Sequence, residues 1–132
     1  MAPWEIWTYD FPVEGTHPCV IFSNAARLGH PDFERINILL CRTLRGSLRR
    51  EFRSAEVVLD QADGLEWQTV CRVDALHFVL KSGLRQRRGL VFSERRRVIC
   101  QRILQLFRSS FDRSCKAQGF VPSILPLREP IQ

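Results

Sequence analysis

The sequence contains few lysines and no long apolar run. Lys81 and Lys116 are the only lysines among its 20 basic residues, the rest are arginine, and the formal net charge is +6. Because a planar guanidinium can bind phosphate or carboxylate with two parallel hydrogen bonds, this bias favours such a partner, although solubility alone would also account for it. No apolar stretch approaches the length of a membrane span, and no basic segment followed by an apolar run opens the chain. We therefore expect neither a membrane partner nor a signal peptide.

Cysteine pairs with metal-ligand spacing are also missing. The five cysteines include no Cys-x-x-Cys pair, and the three histidines show no recognisable ligand spacing. Three cysteines lie inside apolar, strand-like runs, where a free thiol behaves as a small hydrophobic side chain: Cys19, Cys41 and Cys71. We predict no metal site and no cofactor, and the reducing cytoplasm is the simplest compartment for such a chain.

Short strand-like segments fill most of the chain. Apolar, β-branched and aromatic runs bounded by turn residues predict strands at residues 4–11, 19–22, 36–41, 56–59 and 67–74, with a brief strand or a 3₁₀ connection at 77–80. Two arginine-rich segments, 44–53 and 82–89, are interpreted as exposed loops. At 132 residues the chain fits one hydrophobic core.

One convincing helix follows the strands. Ser93 is a good N-cap, and residues 94–116 carry an apolar face at helical spacing, formed by Ile99, Ile103, Leu106 and Phe107. Three arginines in its first turn oppose the helix dipole. The order predicts an α+β, mainly β fold: a small barrel of short, strongly bent antiparallel strands with a C-terminal helix. We expect one domain over residues 1–119 and a proline-spaced, extended tail over 120–132.

The segment from Trp67 to Asp74 carries the clearest chemistry. Since side chains alternate along a strand, Val70, Arg72 and Asp74 are predicted to share one face, with Arg72 and Asp74 side by side near the strand end. A cation and a carboxylate on a rigid strand can stabilise a phosphate and move a proton. The same spacing also fits a structural ion pair at a strand end, and on spacing alone that interpretation is favoured.

Four segments in order resemble the MazF/PemK/Kid family of bacterial toxins, which are small SH3-like barrels. Trp4-Glu5-Ile6-Trp7 resembles the family's GEIW first strand, and Gly15 to Ile21 resembles its G-x-R-P-V-V-I second strand. Residues 36–43 resemble the third strand, which ends in threonine or serine. Residues 69–74 resemble the V-V-R-C-D segment of Kid-like members. The resemblance covers roughly residues 4–107.

The resemblance implies an endoribonuclease that cuts single-stranded RNA at short sequences, forms a homodimer and is neutralised by an acidic antitoxin segment. It places Arg72 and Asp74 on an acid–base pair and Thr43 on a hydroxyl that contacts the scissile phosphate. His17 falls where many members have an arginine, which is the main departure from the pattern. The RNA-binding residues that we predict are Arg45, Arg49, Arg50, Phe52, Arg53 and Thr69.

Metal-free RNA cleavage needs a base for the 2′-OH, charge stabilisation at phosphorus and an acid for the leaving oxygen. Asp74 is the predicted base and Arg72 the phosphate stabiliser, while His17 either replaces the missing arginine or serves as the acid. Two other functions stay open. The chain could be a catalytically inactive barrel that binds RNA or an antitoxin, or a CcdB-like topoisomerase poison that acts through its C-terminal helix.

Overall fold

The strands form a single antiparallel sheet. A computed structural model describes residues 1–44 and 55–117, with side chains as far as Arg108. Within these residues the strands are β1 (Glu5–Phe11), β2 (Gly15–Ile21), β3 (Arg35–Thr43), β4 (Glu56–Leu59), β5 (Thr69–Leu80) and β6 (Leu84–Leu90). The helices are α1 (Ala25–Gly29) and α2 (Ser93–Ala117), with 3₁₀ turns at Gln61–Asp63 and Lys81–Gly83. The strand order is β4-β5-β3-β2-β1-β6, with antiparallel neighbours throughout.

Both faces of the bent sheet are buried, which explains why the strands read as continuous apolar runs. One face, the α2-side core, contains Val20, Leu39 and Cys71 and is closed by Ile99 of α2. The other, the α1-side core, contains Phe11, Ile38 and Val79 together with Leu28 of α1. The predicted class, mainly β with a C-terminal helix, is therefore confirmed. Within the described residues, no helix is long and apolar enough to cross a membrane.

The predicted basic loop over residues 82–89 is wrong, because Leu84–Leu90 form β6. Among the described residues, this strand lies at the edge of the sheet and pairs with β1 alone. Only Leu84 and Gly89 are buried along it, so the sequence shows arginines where a central strand would show apolar residues. An edge strand exposed to solvent needs few hydrophobic side chains, and charged residues there discourage pairing with another chain.

The helix α2 begins at Ser93, close to the predicted start. Ile99 is buried and Ile103 and Leu106 pack partly against the α2-side core, as predicted. Phe107 does not, since it is 62% exposed and its assignment to the apolar face is wrong. The first-turn Arg95 offsets its unfavourable place at the helix N-terminus by forming ion pairs with Asp60 and Asp63.

Gly89 allows β6 to lie against the turn that follows β4. A Cβ at this position would overlap the backbone carbonyl oxygen of Asp63 and come within 3.4 Å of the Gly64 Cα. We therefore expect Gly89→Ala to cost roughly 1–3 kcal/mol in the free energy of unfolding, because backbone on both sides must move. Urea denaturation would measure it. Gly29→Ala is the matched control, since a Cβ at Gly29 has no neighbour within 4 Å; equal effects at the two positions would contradict the packing argument.

Candidate active site at the bend of strand β5

The strand β5 is one continuous element with a large bulge in its middle. The two strands predicted at 67–74 and 77–80 are joined, and Trp67 lies outside the strand. Cys71 pairs with Cys41 and Leu76 with Leu39, so five steps along β5 oppose two steps along β3. Because this excess is odd, the side chains exchange faces across the bulge.

The exchange changes which residues of β5 lie on the α1-side face. Before the bulge Cys71 and Val73 belong to the α2-side core, which turns Arg72 toward the α1-side face. Beyond it Ala75 and Val79 pack in the α1-side core, so His77 between them shares that face. Asp74 lies where the faces change over. The predicted face shared by Val70, Arg72 and Asp74 is therefore interrupted at Asp74.

Arg72 and Asp74 nevertheless meet. The Arg72 Nη2 donates to the Asp74 Oδ2 at 3.4 Å, and the two side chains are 40% and 42% exposed. An ion pair this open to solvent contributes at most about 1 kcal/mol to stability, because water and salt screen it. Stability alone is therefore a weak reason for the pair, and its accessible groups are available to a ligand.

Two further charged residues, Glu56 and Arg42, flank Arg72 and were not predicted as site residues. Glu56 of β4 lies directly across the sheet from Arg72 and is buried. Arg42 of β3 pairs with Val70, which puts this exposed arginine on the same face as Arg72. Arg42 directly precedes Thr43 and the arginine-rich segment 44–53. Its place at the start of this basic cluster was the sequence signal that could have identified Arg42 as a site residue.

His17 lies on β2 opposite Tyr9, with its ring half-buried near the ring of Phe11. Its Nε2 is 2.7 Å from the carbonyl oxygen of Glu14. Because a carbonyl can only accept a hydrogen bond, Nε2 carries the proton, and Nδ1 is the nitrogen that can bind a ligand or exchange a proton. Alternation with Cys19 places His17 on the α1-side face, the same face as Arg72.

Thr43 is not brought onto that face. It pairs with Thr69, and the register places both on the α2-side face with Cys41 and Cys71. Thr69 is only 2% exposed, and its hydroxyl donates to the carbonyl oxygen of Trp67 at 3.1 Å. The hydroxyl of Thr69 is thus engaged within the protein, while Thr43 is half-buried at the strand end.

Five of the predicted RNA-binding residues lie outside the described residues: Arg45, Arg49, Arg50, Phe52 and Arg53. The predicted tail, 120–132, lies outside them as well. In the part of the chain that is described, no three histidine, cysteine, aspartate or glutamate side chains are grouped so that they could hold a metal ion.

The buried cysteines serve packing rather than chemistry. Cys19, Cys41 and Cys71 are all fully buried, as the sequence predicted. Burial raises the pKa of the Cys19 thiol to about 12 and raises that of Cys41 well above its usual range. Because the thiolate is the nucleophilic form of cysteine, neither thiol is activated for attack.

Similarity to known proteins is found in the structure and not in the sequence. No family model matches the sequence, and no curated protein matches it. Solved structures do. The Mycobacterium tuberculosis toxin MazF-mt6 is similar at a TM-score of 0.64 and 16% identity, over 79% of this chain and 96% of that one. This protein has the MazF fold.

Two further structures support the MazF fold. A mycobacterial endoribonuclease in complex with its cognate antitoxin is similar at a TM-score of 0.63 and 19% identity, over 80% of this chain and 92% of that one. A MazE–MazF complex from Deinococcus radiodurans is similar at 0.58 and 16% identity, over 81% and 94%. The likeness spans nearly the whole of each neighbour, and the SH3-like barrel expected from the MazF resemblance is confirmed.

Proposed function

We propose that this protein is the toxin of a type II toxin–antitoxin system, a metal-free endoribonuclease that cleaves single-stranded RNA at a short recurring sequence. The observation that carries the proposal is the solvent-exposed Arg72–Asp74 ion pair, which lies beside the bulge of β5 on a MazF-like fold. A pair that adds little to stability, yet holds a cation and a carboxylate in contact, suits phosphate chemistry.

In the proposed reaction the RNA supplies its own nucleophile. Asp74 takes the proton of the 2′-OH, the O2′–P bond forms and the P–O5′ bond breaks, leaving a 2′,3′-cyclic phosphate and a 5′ oxygen that takes up a proton from an acid or from water to give a 5′-OH end. Arg72 stabilises the negative charge on phosphorus and orients Asp74, since a guanidinium is too weak an acid to give up its proton. His17, when protonated, offers Nδ1–H to a phosphate oxygen in place of the arginine of the family pattern. Thr43 remains a proposed phosphate contact from the strand end.

The proposed partners follow from charge and from the neighbours. The net charge of +6 and the exposed Arg42 beside Arg72 suit a polyanionic strand. An acidic antitoxin would bind the same basic surface, and two of the neighbouring structures contain an antitoxin. We further propose a homodimer in the cytoplasm. The apolar Leu104 and Phe107, 68% and 62% exposed on α2, are the kind of surface that a second copy would cover.

The first experiment is incubation of the purified protein with a long single-stranded RNA in EDTA. We expect cleavage at a recurring short sequence, with cyclic phosphate ends that resist phosphatase without prior acid treatment. The Asp74→Asn protein, purified in the same way, controls for contaminating ribonuclease. Intact RNA at high enzyme concentration would reject the nuclease and favour a non-catalytic RNA- or antitoxin-binding barrel. Inhibition of DNA supercoiling by the protein would instead favour a topoisomerase poison.

A further inference from the structure

His17 is not the only histidine on the α1-side face of the sheet. The ring of His77 on β5 contacts the ring of Phe11 on β1, with centroids 5.1 Å apart at an interplanar angle of 62°. The centroid of the His17 ring is 6.4 Å from the centroid of the same Phe11 ring. Two imidazoles on β2 and β5, far apart in sequence, are thus gathered around one buried side chain.

The face exchange in β5 creates this arrangement. With regular alternation from Cys71, His77 would point into the α2-side face, away from Arg72. Across the bulge it shares the α1-side face with Arg72 instead, as does Ala75, which lies between them in sequence. A role for His77 could not be predicted from sequence, because its face depends on a bulge that alternation does not predict.

His77 has the freedom that a proton-transfer group needs. Its side chain is half-buried, so it is held by packing yet reached by solvent. Phe11 fixes its ring, and no hydrogen bond in the described part of the chain engages either ring nitrogen. Imidazole is also the side chain whose ordinary titration range spans neutral pH. By contrast, His17 already commits Nε2 to the Glu14 carbonyl.

We propose that His77 is the general acid of the reaction, donating a proton to the O5′ atom as the P–O5′ bond breaks. The inference rests on the proposed nuclease function and fills the one task that Arg72 cannot perform. Asp74 gains the proton of the 2′-OH, His77 loses one to the leaving oxygen, and solvent restores both for the next turnover. His17 then remains the cationic phosphate contact.

A substrate with an altered leaving group tests this assignment. Once the cleaved sequence has been mapped, an RNA carrying a 5′-bridging phosphorothiolate at the scissile position replaces O5′ by sulfur, which leaves as a stable thiolate without a proton. We expect His77→Gln and His77→Phe to cleave ordinary RNA about 10²-fold or more slowly than the wild type. Both variants should approach the wild-type rate on the sulfur substrate. His77→Phe keeps the ring packing against Phe11, so it covers the case in which His77→Gln does not fold.

The controls separate this inference from the proposed function. Asp74→Asn should stay slow on both substrates, because it affects the 2′-OH, and the exposed His30→Gln should stay fast on both. If the wild type cleaves RNA and the His77 variants cleave it at the full rate, the proposed role of His77 is overturned while the proposed nuclease function stands. A loss of equal size on both substrates would also overturn that role, because it would mean that His77 supports the structure or RNA binding. No cleavage by the wild type would reject the nuclease itself.

Discussion

Asp74→Asn is expected to lower kcat/KM for RNA cleavage about 10²–10⁴-fold, the range typical for loss of a positioned general base. Asparagine keeps the size of the side chain and still offers an oxygen to Arg72, 3.4 Å away, but it cannot take a proton. Because the pair is exposed, the fold should be unaffected, with a change in the free energy of unfolding within about 0.5 kcal/mol. Single-turnover cleavage in EDTA and urea denaturation measure the two quantities.

Asp32→Asn provides the matched control, since Asp32 is an exposed aspartate that pairs with His30 rather than with an arginine. It should leave the cleavage rate unchanged. Arg72→Lys adds a second comparison, because lysine keeps the charge and loses the planar fork, and the rate should fall while RNA binding persists. If Asp74→Asn cleaves RNA as fast as the wild type, Asp74 is not the base and the pair is structural.

The contact between Arg72 and Asp74 could be predicted from sequence because it is local. Arg72 and Asp74 are only two positions apart, so the long Arg72 side chain reaches the carboxylate even though the faces change over at Asp74. Their setting could not be predicted, because it depends on how β5 pairs with β3. The bulge reverses the faces between Val73 and Ala75, and this brings His77 onto the face of Arg72. Register across strands is a tertiary property, and a shift by an odd number of residues overturns every inference from alternation.

In the fold, too, local features could be predicted from sequence and tertiary ones could not. Strands β1, β3 and β4 and helix α2 were predictable, since the strands are short segments rich in apolar residues and the helix has an apolar face at helical spacing. Strand β6 was not, because an edge strand needs little hydrophobic pattern and its sequence resembles that of a basic loop. The exposure of Phe107 could not be predicted either, because the spacing of apolar residues along a helix does not show how far the sheet beneath the helix extends.

The ion cluster at the start of α2 explains how a helix with three arginines in its first turns is held. Asp63 has no exposed side-chain surface, and its carboxylate accepts from the backbone N–H groups of Phe92 and Asp60 as well as from Arg95. Arg95 also donates to both oxygens of Asp60, at 2.8 and 3.0 Å. The hydrogen bond from Arg95 keeps the pKa of Asp60 below its ordinary value of 3.8.

Arg95→Met is therefore expected to destabilise the protein by roughly 3–5 kcal/mol, because it leaves a buried carboxylate without its cation. Thermal unfolding at neutral pH should show a loss of about 10–20 °C in Tm. Arg97→Met, which removes an exposed arginine two residues further along α2, should change the stability by no more than about 0.5 kcal/mol. A loss no larger for Arg95→Met than for Arg97→Met would show that the cluster does not anchor α2.

The pH dependence of the free energy of unfolding gives a second, independent test of Arg95→Met. Since the pKa of Asp60 is lowered in the folded state, its share of the stability is complete above the ordinary value of 3.8 and is lost as the pH falls below it. Arg95→Met removes the largest cause of this lowering and leaves the hydrogen bond from the Ala62 backbone N–H, so the stability difference from the wild type should be largest at neutral pH and should shrink on acidification. A difference that stays constant down to pH 3 would assign the destabilisation to lost packing of the arginine stem instead of its charge.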